Sequence, residues 1–358
     1  MWVIILLKRF CFFLAILFVF PFSAFASDCS ASSAVVIDAA TKTVLYEKNS
    51  GEKRSMASTT KIMTALLAVE SGRLDEEVVI KQEMLYTEGS CLGLRDGDKL
   101  SFYDLVVGMM LTSGNDAANA VAFLISGSIE EFAVLMNNRA KELGMNNTVF
   151  VTPSGLDDGD HHSTAYDMAL LTAKAVEYPE FCEITSMASA EITINGKKLA
   201  VYNHNKLLAK DEDIFGVKTG FTEKAGRCLV TAKNYNGNKI ICVTLNAPDD
   251  WNDHLNLYEQ CEKKYTKSTV SDNFEISAVG GNSDTVNVSY SKEIYSVGEV
   301  RADVYYYPFA YAPVNKGDIV GEVLVYCGEN IIERLPIEAD EDVEYAKQER
   351  SETSEIYG

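Results

Sequence analysis

The sequence has few of the residues that build metal centres and disulfide frameworks. It contains only four histidines in 358 residues, and no two of its eight cysteines have the close spacing of a zinc site or a redox dithiol. We therefore expect no metal and no cofactor. We expect most of the cysteines to be small buried apolar side chains.

Basic residues are also scarce. The 32 lysines and arginines face 52 aspartates and glutamates, which gives a formal net charge of −20. Proteins bind nucleic acid and anionic lipid largely through basic surfaces, so this charge excludes both as partners. The hydrophobic content of 47% is that of a globular protein.

A long apolar run lies at the N-terminus. Lys8 and Arg9 precede the apolar residues 10–22, and the small residues of Ala24-Phe25-Ala26 follow at the spacing of a cleavage site. The pattern predicts a signal peptide over residues 1–26 and an exported, extracytoplasmic protein that is secreted or loosely membrane-associated. Further apolar residues before Lys8 leave a retained membrane anchor open, and membrane contact would then depend on this segment alone.

The pattern of elements predicts an α+β chain with two domains, which the length also favours. Apolar residues at helical spacing, with capping residues and terminal glycines, mark the helices. The predicted helices cover residues 58–70, 101–111, 116–124, 130–143, 164–175 and 255–265. The predicted strands of the same region include residues 34–38, 43–47, 229–231 and 239–245.

Strands at both ends of a helix-rich middle predict a first domain over residues 30–267. In it, a sheet assembled from distant segments packs against a helical cluster. Short strands between glycine and asparagine turns predict a small all-β domain over residues 270–339. Residues 340–358 form an acidic tail that we expect to be solvated and poorly ordered.

Ser58 and Lys61 form a Ser-x-x-Lys pattern at the start of the first predicted helix. Residues three apart share a helix face, so the hydroxyl and the amine can meet. An unprotonated lysine can serve as the base that a serine nucleophile needs, and the positive end of the helix dipole disfavours the lysine's charge. The pattern alone is weak, because it recurs at residues 50–53 and 289–292 in contexts that fix no such geometry.

Two further triplets support a catalytic role for the Ser58–Lys61 pattern. Ser113-Gly114-Asn115 interrupts a helical region, and Lys218-Thr219-Gly220 lies on a predicted strand. A strand lysine and threonine at a cleft edge can hold a substrate carboxylate, and the glycine lets the substrate backbone come close. In this order, the three patterns match the set described for penicillin-binding proteins and class A β-lactamases.

The chain resembles the D-alanyl-D-alanine carboxypeptidases of serine peptidase family S11, the low-molecular-weight penicillin-binding proteins. The resemblance covers roughly residues 34–338, and it is carried by residues 57–65, 111–118, 155–167, 217–229 and 315–321. It implies a β-lactamase/transpeptidase-like catalytic domain followed by a small all-β domain. It also implies a serine enzyme that removes the terminal D-Ala from peptidoglycan stem peptides and is acylated by β-lactams as covalent inhibitors.

The resemblance assigns catalytic roles to residues of the three patterns. Ser58 would attack the carbonyl of the penultimate D-Ala and form an acyl-enzyme, while Lys61 takes its proton. Ser113 would relay a proton to the leaving D-Ala. The backbone N–H groups of Ser58 and Phe221 would form the oxyanion hole.

Substrate-binding roles follow in the same way. Asn115 would hydrogen-bond the substrate backbone, and Lys218 and Thr219 would bind the terminal carboxylate beside Gly220. Lys218 would also help to keep Lys61 neutral. Related enzymes usually carry a basic residue after the strand that ends at Leu245. In those relatives the basic residue helps to bind the substrate carboxylate. This chain has no lysine or arginine in residues 246–253, so Lys218, Arg227 or His254 must take over that role.

Other conspicuous residues receive a structural interpretation. Asp167 is expected to cap a helix, His161 and His162 to shape a loop near the cleft, and His204 to be structural.

Three alternative functions stay open at this point. A DD-endopeptidase or transpeptidase would use the same site with a different leaving group or acceptor. A β-lactamase would need a deacylating glutamate, for which Glu142 with Asn146 is a near match by letters. A catalytically silent penicillin-binding wall module would have no physical need to keep Ser58, Lys61, Ser113 and Lys218.

Overall fold

The computed structural model describes residues 29–347. The predicted signal peptide and the end of the acidic tail therefore lie outside the described residues. The helices are α1 Lys61–Glu70, α2 Phe102–Thr112, α3 Asn115–Ser126, α4 Ile129–Glu142, α5 Ala165–Ala175, α6 Pro179–Ser186 and α7 Asp250–Glu262. The strands of the first domain are β1 Ser33–Asp38, β2 Val44–Lys48, β3 Glu77–Val79, β4 Lys99–Ser101, β5 Ser189–Ile194, β6 Lys197–Tyr202, β7 Ile214–Thr222, β8 Gly226–Tyr235 and β9 Asn238–Leu245.

A five-stranded antiparallel sheet with the order β2-β1-β9-β8-β7 is the centre of the first domain. Its first strand pairs with its last, so that Ser33 lies opposite Leu245. The sheet is therefore assembled from segments at the two ends of the domain. This confirms the predicted α+β arrangement.

Both faces of this sheet are buried, as the alternation of side chains in β1 demonstrates. Val35 and Ile37 pack against the apolar cluster to which helices α1–α6 contribute. Ala34 and Val36 point to the opposite face and belong to the cluster of α7. The sheet is thus the middle layer between helices. Its two edge strands are β2 and β7, and β7 carries Lys218-Thr219-Gly220.

Two of the predicted helix caps are confirmed, whereas the role of Asp167 and the start of α7 differ from the prediction. Ser101 and Thr164 each accept a hydrogen bond from the backbone N–H three residues later, as expected. The Asp167 carboxylate does not cap its helix. It accepts instead from the backbone N–H and the hydroxyl of the loop residues 147–148. Helix α7 begins at Asp250 rather than Leu255, because Asp250 and Asp253 suit the positive end of a helix.

The second domain is all-β. Its strands are β10 Thr266–Val279, β11 Thr285–Ser296, β12 Val300–Tyr306, β13 Phe309–Tyr311, β14 Ile319–Cys327 and β15 Asn330–Ala339. The sheet order is β12-β14-β15-β11-β10-β13. Its two edge strands, β12 and β13, are separated by only two residues of chain, so the sheet curls towards a half-barrel around Val286, Val323 and Ile337.

The sheet of this domain and its contacts reach a little beyond residues 270–339 at both ends. Strand β10 begins at Thr266, inside the range expected for the first domain. The start of the acidic tail stays on the β-domain, because Val343 pairs with Val314 and is buried, and the N–H of Ala346 donates to the carbonyl of Gly280.

Most of the described cysteines are buried, as expected, but Cys91 is exposed and Cys182 is half-buried. No cysteine within residues 29–347 forms a disulfide. In the same residues no single helix is long and apolar enough to cross a membrane. Helices α3 and α4 reach that length and composition only as a pair, which is bent by 82°.

Candidate active site

Ser58 lies on a single 3₁₀ turn, Ala57–Thr60, that leads directly into α1. The turn starts at Ala57, whose φ of 46° is in the left-handed region. Gly155, with φ of 87°, leaves room for it: a Cβ at this glycine would lie 1.9 Å from the Ala57 carbonyl oxygen. The position of Ser58 thus depends on a glycine of a distant loop.

A series of hydrogen bonds through His161 connects the 3₁₀ turn of Ser58 to the loop that contains Val151. The backbone N–H of Val151 donates to Nδ1 of His161 at 3.0 Å, and Nε2 of His161 lies 2.9 Å from Oγ1 of Thr60. Thr60 in turn donates to the Ala57 carbonyl at 2.9 Å. Burial lowers the pKa of His161 to about 4, so the ring is neutral and its Nε2–H can donate to Thr60. His161 therefore shapes a loop beneath the cleft, as expected.

The Lys61 amine is fully buried and contacts three oxygen atoms. Nζ lies 3.0 Å from Oγ of Ser58, 2.7 Å from Oδ1 of Asn115 and 2.7 Å from the carbonyl oxygen of Ser154. Burial is the largest cause of a pKa well below the usual value, and the charge of Lys218 lowers it further while Asp116 opposes the shift.

A neutral Lys61 fits these three contacts in one way. An unprotonated amine has two hydrogens and one lone pair. The Asn115 and Ser154 oxygens can only accept, so they take the two hydrogens. The lone pair is then directed at the Ser58 hydroxyl, which is the arrangement of a general base and its nucleophile.

Ser113 occupies the break between α2 and α3, with φ of 61°. Its Oγ accepts a hydrogen bond from Nζ of Lys218 at 3.1 Å. Lys218 also donates to the carbonyl of Thr219 at 2.9 Å and is buried, and this burial lowers its pKa to about 7. The helix break therefore brings one hydroxyl next to the lysine of the edge strand β7.

The Asn115 side chain is engaged on both sides. Its Oδ1 accepts from Lys61, and its Nδ2 donates to the carbonyl of Glu88 at 2.7 Å. One Nδ2 hydrogen is left over by these contacts. Asn115 is thus a direct neighbour of the Lys61 amine, which the sequence did not indicate.

A cleft of about 310 Å³ opens above these groups, along the edge of β7. It is lined by Ser58, Ser90, Ser113, His204, Thr219, Gly220, Phe221, Arg227, Asp250 and Trp251. Lys61, Asn115 and Lys218 lie buried beneath it. The structure therefore brings all the sequence-predicted site residues to one place, with five of them on the cleft surface.

Gly220 also allows a close contact between β7 and the Ser58 turn. A Cβ at this position would lie 3.0 Å from the backbone nitrogen of Ser58 and 3.1 Å from the carbonyl oxygen of Met56. The glycine therefore lets β7 run directly against the Ser58 turn, whereas the sequence argument concerned only the substrate backbone.

Some interpretations of single residues need correction. His254 is fully buried between Thr231 and Thr244, so it cannot compensate for a missing carboxylate ligand. His204, expected to be structural, lines the cleft. Glu142 pairs with Arg139 on the surface away from the cleft, which removes the structural basis for the β-lactamase alternative.

The other two Ser-x-x-Lys patterns have no such geometry. The Ser50 hydroxyl donates to Glu47. Ser289 and Lys292 lie on β11, where the hydroxyl donates to Asp340 and the amine pairs with Glu333. The Ser-x-x-Lys spacing alone is therefore not sufficient to bring the hydroxyl and the amine together.

The family models agree with this geometry. Residues 21–249 match the model described as D-alanyl-D-alanine carboxypeptidase, peptidase S11, which is more than half of the chain. The chain belongs to this family. Residues 263–345 match the C-terminal domain of penicillin-binding protein 5, so the carboxypeptidase continues into the half-barrel and past Ala339.

Relatives and solved structures support the same assignment. The carboxypeptidase DacF of Bacillus subtilis is 31% identical, over 88% of this chain and 86% of that protein. Penicillin-binding protein 5 of Haemophilus influenzae superimposes with a TM-score of 0.62 at 26% identity, over 88% of this chain and 98% of that one. A D-alanyl-D-alanine endopeptidase of Escherichia coli is also 31% identical, over 62% of this chain and 72% of that protein. The protein is a serine-type D-alanyl-D-alanine carboxypeptidase.

Proposed function

We propose that Ser58 is the nucleophile of this carboxypeptidase and that Lys61 is its base. The observation that carries the proposal is the 3.0 Å approach of the buried Lys61 Nζ to the Ser58 hydroxyl, and burial lowers the pKa of this lysine well below its usual value. Ser58 attacks the carbonyl carbon of the penultimate D-Ala, and its proton passes to Lys61. The tetrahedral intermediate then collapses to an acyl-enzyme as the terminal D-Ala leaves.

The leaving D-Ala needs a proton on its nitrogen. Ser113 is suited to deliver it, because its hydroxyl lines the cleft and accepts a hydrogen bond from Lys218. A proton on Lys61 reaches the leaving nitrogen through the Ser113 hydroxyl, which gives its own proton away and receives another. Water then hydrolyses the acyl-enzyme, with Lys61 again as the base.

The oxyanion of the intermediate is held by the backbone N–H groups of Ser58 and Phe221. Support comes from the contact at Gly220, where β7 runs so close to the Ser58 turn that an added Cβ would lie only 3.0 Å from the Ser58 nitrogen. Two N–H groups from a helix-leading turn and an adjacent strand can then share one oxygen. Each such donor contributes about 3 kcal/mol to transition-state stabilisation.

The substrate is a peptidoglycan stem peptide that ends in D-Ala-D-Ala. Lys218 and Thr219 bind its terminal carboxylate, and the second Nδ2 hydrogen of Asn115 reaches the peptide backbone. β-Lactams acylate the same serine. This is supported by the cefotaxime-bound structure of penicillin-binding protein D2 from Listeria monocytogenes, which is 31% identical with a TM-score of 0.59, over 65% of this chain and 97% of that one.

The chain acts outside the cytoplasm, where such stem peptides lie. The apolar N-terminal segment supports export through a signal peptide over residues 1–26. We divide the mature chain into a catalytic domain that ends just before β10 and a half-barrel domain from Thr266 to about residue 346.

The test is D-Ala release from a diacyl-L-Lys-D-Ala-D-Ala peptide by the purified protein. Ser58→Ala should abolish release and labelling by a fluorescent penicillin. Ser289→Ala is the matched control, because it changes the serine of another Ser-x-x-Lys pattern and should leave both activities unchanged. Release that persists in Ser58→Ala would overturn the mechanism. Labelling without release by the wild type would instead favour an endopeptidase or a silent module.

A further inference from the structure

The half-barrel domain carries an exposed run of aromatic side chains where its two edge strands meet. From the end of β12 to the end of β13 the chain reads Tyr305-Tyr306-Tyr307-Pro308-Phe309-Ala310-Tyr311. All five aromatic residues of this run are exposed, and Tyr307 and Tyr311 are 73% and 70% exposed. Edge strands usually carry charged residues that prevent association, so an aromatic edge indicates a surface that binds a partner.

The aromatic side chains line two adjoining cavities of about 450 Å³ and 530 Å³. Both cavities share Tyr307 and Ile319, and they therefore form one continuous groove over the start of β14. Two cavities in a row suit an extended ligand better than a compact one. We call this surface the tyrosine groove, and it is lined by Tyr305, Tyr306, Tyr307, Phe309, Tyr311 and Ile319.

The backbone of the tyrosine groove is fixed by strand pairing. Tyr306 pairs with Gly321 of β14, and a Cβ at this glycine would lie only 2.8 Å from the Cβ of Tyr306. The N–H of Tyr307 donates to the carbonyl of Val320 at 3.1 Å, and β13 pairs with β10. A tyrosine side chain has two torsions and supplies a large contact area at a low cost in conformational entropy. The groove is therefore ready to bind without prior ordering.

Polar groups accompany the aromatic faces. The four tyrosine hydroxyls of the groove have no hydrogen-bond partner within residues 29–347. Asp318 lines one cavity and Glu322 the other, and Glu322 also pairs with Arg334 outside the groove. No lysine or arginine lines either of the two cavities. The surface thus combines flat apolar faces, hydroxyl donors and carboxylate acceptors without a positive charge.

This composition distinguishes between the possible partners of an aromatic surface. Residues 266–347 contain six lysines and arginines against fifteen aspartates and glutamates, so the domain repels anionic lipid. The carboxylates of Asp318 and Glu322 would also have to leave water if the rings entered a bilayer. A neutral chain of sugar rings meets neither cost. The C–H face of a pyranose packs on an aromatic ring, and its hydroxyl and N-acetyl groups bond to tyrosine hydroxyls and carboxylates.

We propose that the tyrosine groove binds the glycan strand of peptidoglycan, a linear polymer of β-1,4-linked N-acetylated amino sugars. The backbone of this strand is uncharged, because the carboxyl group of its muramyl sugar forms the amide bond to the stem peptide. The choice of this polysaccharide rests on the proposed function, which binds the stem peptide in the cleft of the other domain. Glycan binding holds the enzyme on its polymeric substrate between successive cleavages.

The experiment measures binding to glycan without stem peptides, so that the catalytic cleft contributes nothing. The probes are insoluble glycan strands, prepared from peptidoglycan with an amidase that removes the peptides, and soluble chitohexaose. Cosedimentation and isothermal titration calorimetry with the purified mature protein measure the two. When Tyr307→Ala and Tyr311→Ala are combined, we expect the Kd for chitohexaose to rise by about tenfold or more, as for the loss of aromatic anchors from a binding site.

Activity separates glycan binding from damage to the fold. The double variant should release D-Ala from a soluble diacyl-L-Lys-D-Ala-D-Ala peptide at the wild-type rate, but it should release less from intact peptidoglycan. Tyr307→Phe keeps the flat ring and should keep most of the glycan binding, whereas Tyr307→Leu keeps apolar area without the ring and should lose it. Tyr202→Ala is the matched control, because this tyrosine is 66% exposed but lies on β6 of the first domain.

Equal glycan binding by the wild type and the double variant, or no binding by the wild type, would overturn the inference. Without glycan binding, two further results would each identify a different partner. Binding to vesicles of phosphatidylglycerol and phosphatidylethanolamine that the double variant loses would identify a membrane, and self-association that it loses would identify a second copy. The proposed function fails separately: a wild type that binds glycan but releases no D-Ala would contradict the mechanism and leave this inference standing.

Discussion

The Lys61 amine is fully buried, and it approaches Oγ of Ser58 to 3.0 Å at the floor of the cleft. Its other two contacts are made by groups that can only accept, Oδ1 of Asn115 and the carbonyl of Ser154. The pair is therefore poised for proton transfer only while the amine is neutral. This dependence on protonation makes the site sensitive to any charge placed near Lys61.

Asn115→Asp should shift the acidic limb of the kcat/KM profile to higher pH. A carboxylate in place of the amide favours the charged form of Lys61 and raises its pKa, so that a higher pH is needed to free the lone pair. The measurement is D-Ala release between pH 5 and 9 by the standard assay.

Asn119→Asp is the control for this shift, because it places the same charge one turn further along α3. It should move the limb less than Asn115→Asp. A profile of Asn115→Asp that rises at the same pH as the wild type would show that the protonation of Lys61 does not control the reaction.

Gly155→Ala should destabilise the protein and reduce acylation together. The alanine meets two costs: a left-handed φ of 87°, and a Cβ 1.9 Å from the Ala57 carbonyl that must push the Ser58 turn aside. We expect a loss of about 2–4 kcal/mol in the free energy of unfolding and a slower reaction with fluorescent penicillin. Urea denaturation and labelling kinetics measure the two effects.

Gly144→Ala provides the comparison for the backbone cost alone. Its φ is 77°, and nothing lies within 4 Å of the added Cβ. We expect a loss of about 1–2 kcal/mol and normal labelling. If both alanine variants behaved alike, the contact of Gly155 with the Ser58 turn would have no effect on the site.

The part of the site that sequence could predict is local. Ser58 and Lys61 are three residues apart, and a helical turn alone brings their side chains together. The break at Ser113 and the strand position of Lys218 were also predictable, because glycine and alternating patterns mark them. These local features identify the family without fixing how the groups contact each other.

The contacts that tune the chemistry join distant segments and carry no local pattern. Nothing near Lys61 in the sequence points to the Ser154 carbonyl, since a backbone acceptor has no residue type. Likewise, the role of Gly155 depends on a carbonyl of another loop. Asp250 was hidden in a run of polar residues, and only the fold shows that it holds Arg227.

The fold was predictable where patterns were long and failed at element ends. Strands at both ends of the first domain predicted a sheet assembled from distant segments, and the pairing of β1 with β9 confirms it. The start of α7 was missed because its first turn is polar, with Asp250 and Asp253 in place of apolar residues. Tertiary packing of the buried Asp250 carboxylate, rather than apolar periodicity, defines that end.

Lys218→Met should make the free energy of unfolding less dependent on pH between about 7 and 10. Burial lowers the pKa of Lys218 to about 7, whereas in the unfolded chain the pKa keeps the ordinary lysine value of 10.5. Between these values the unfolded state binds more protons, so this lysine makes the wild type more stable as pH rises, by at most about 1.4 kcal/mol per unit. Below pH 7 both states are protonated, and the buried charge is a constant cost that the variant lacks.

Urea denaturation at several pH values from about 6 to 10 tests the sign of this pH dependence. The stability advantage of Lys218→Met over the wild type should be largest near pH 6 and shrink steadily as pH rises. Lys198→Met is the control, because that lysine is exposed and its pairing with Glu191 raises its pKa, which moves its own effect above pH 10. Parallel curves for the wild type and Lys218→Met would mean that Lys218 keeps its proton throughout. In that case, the charge of Lys218 next to Lys61 would not change over this pH range.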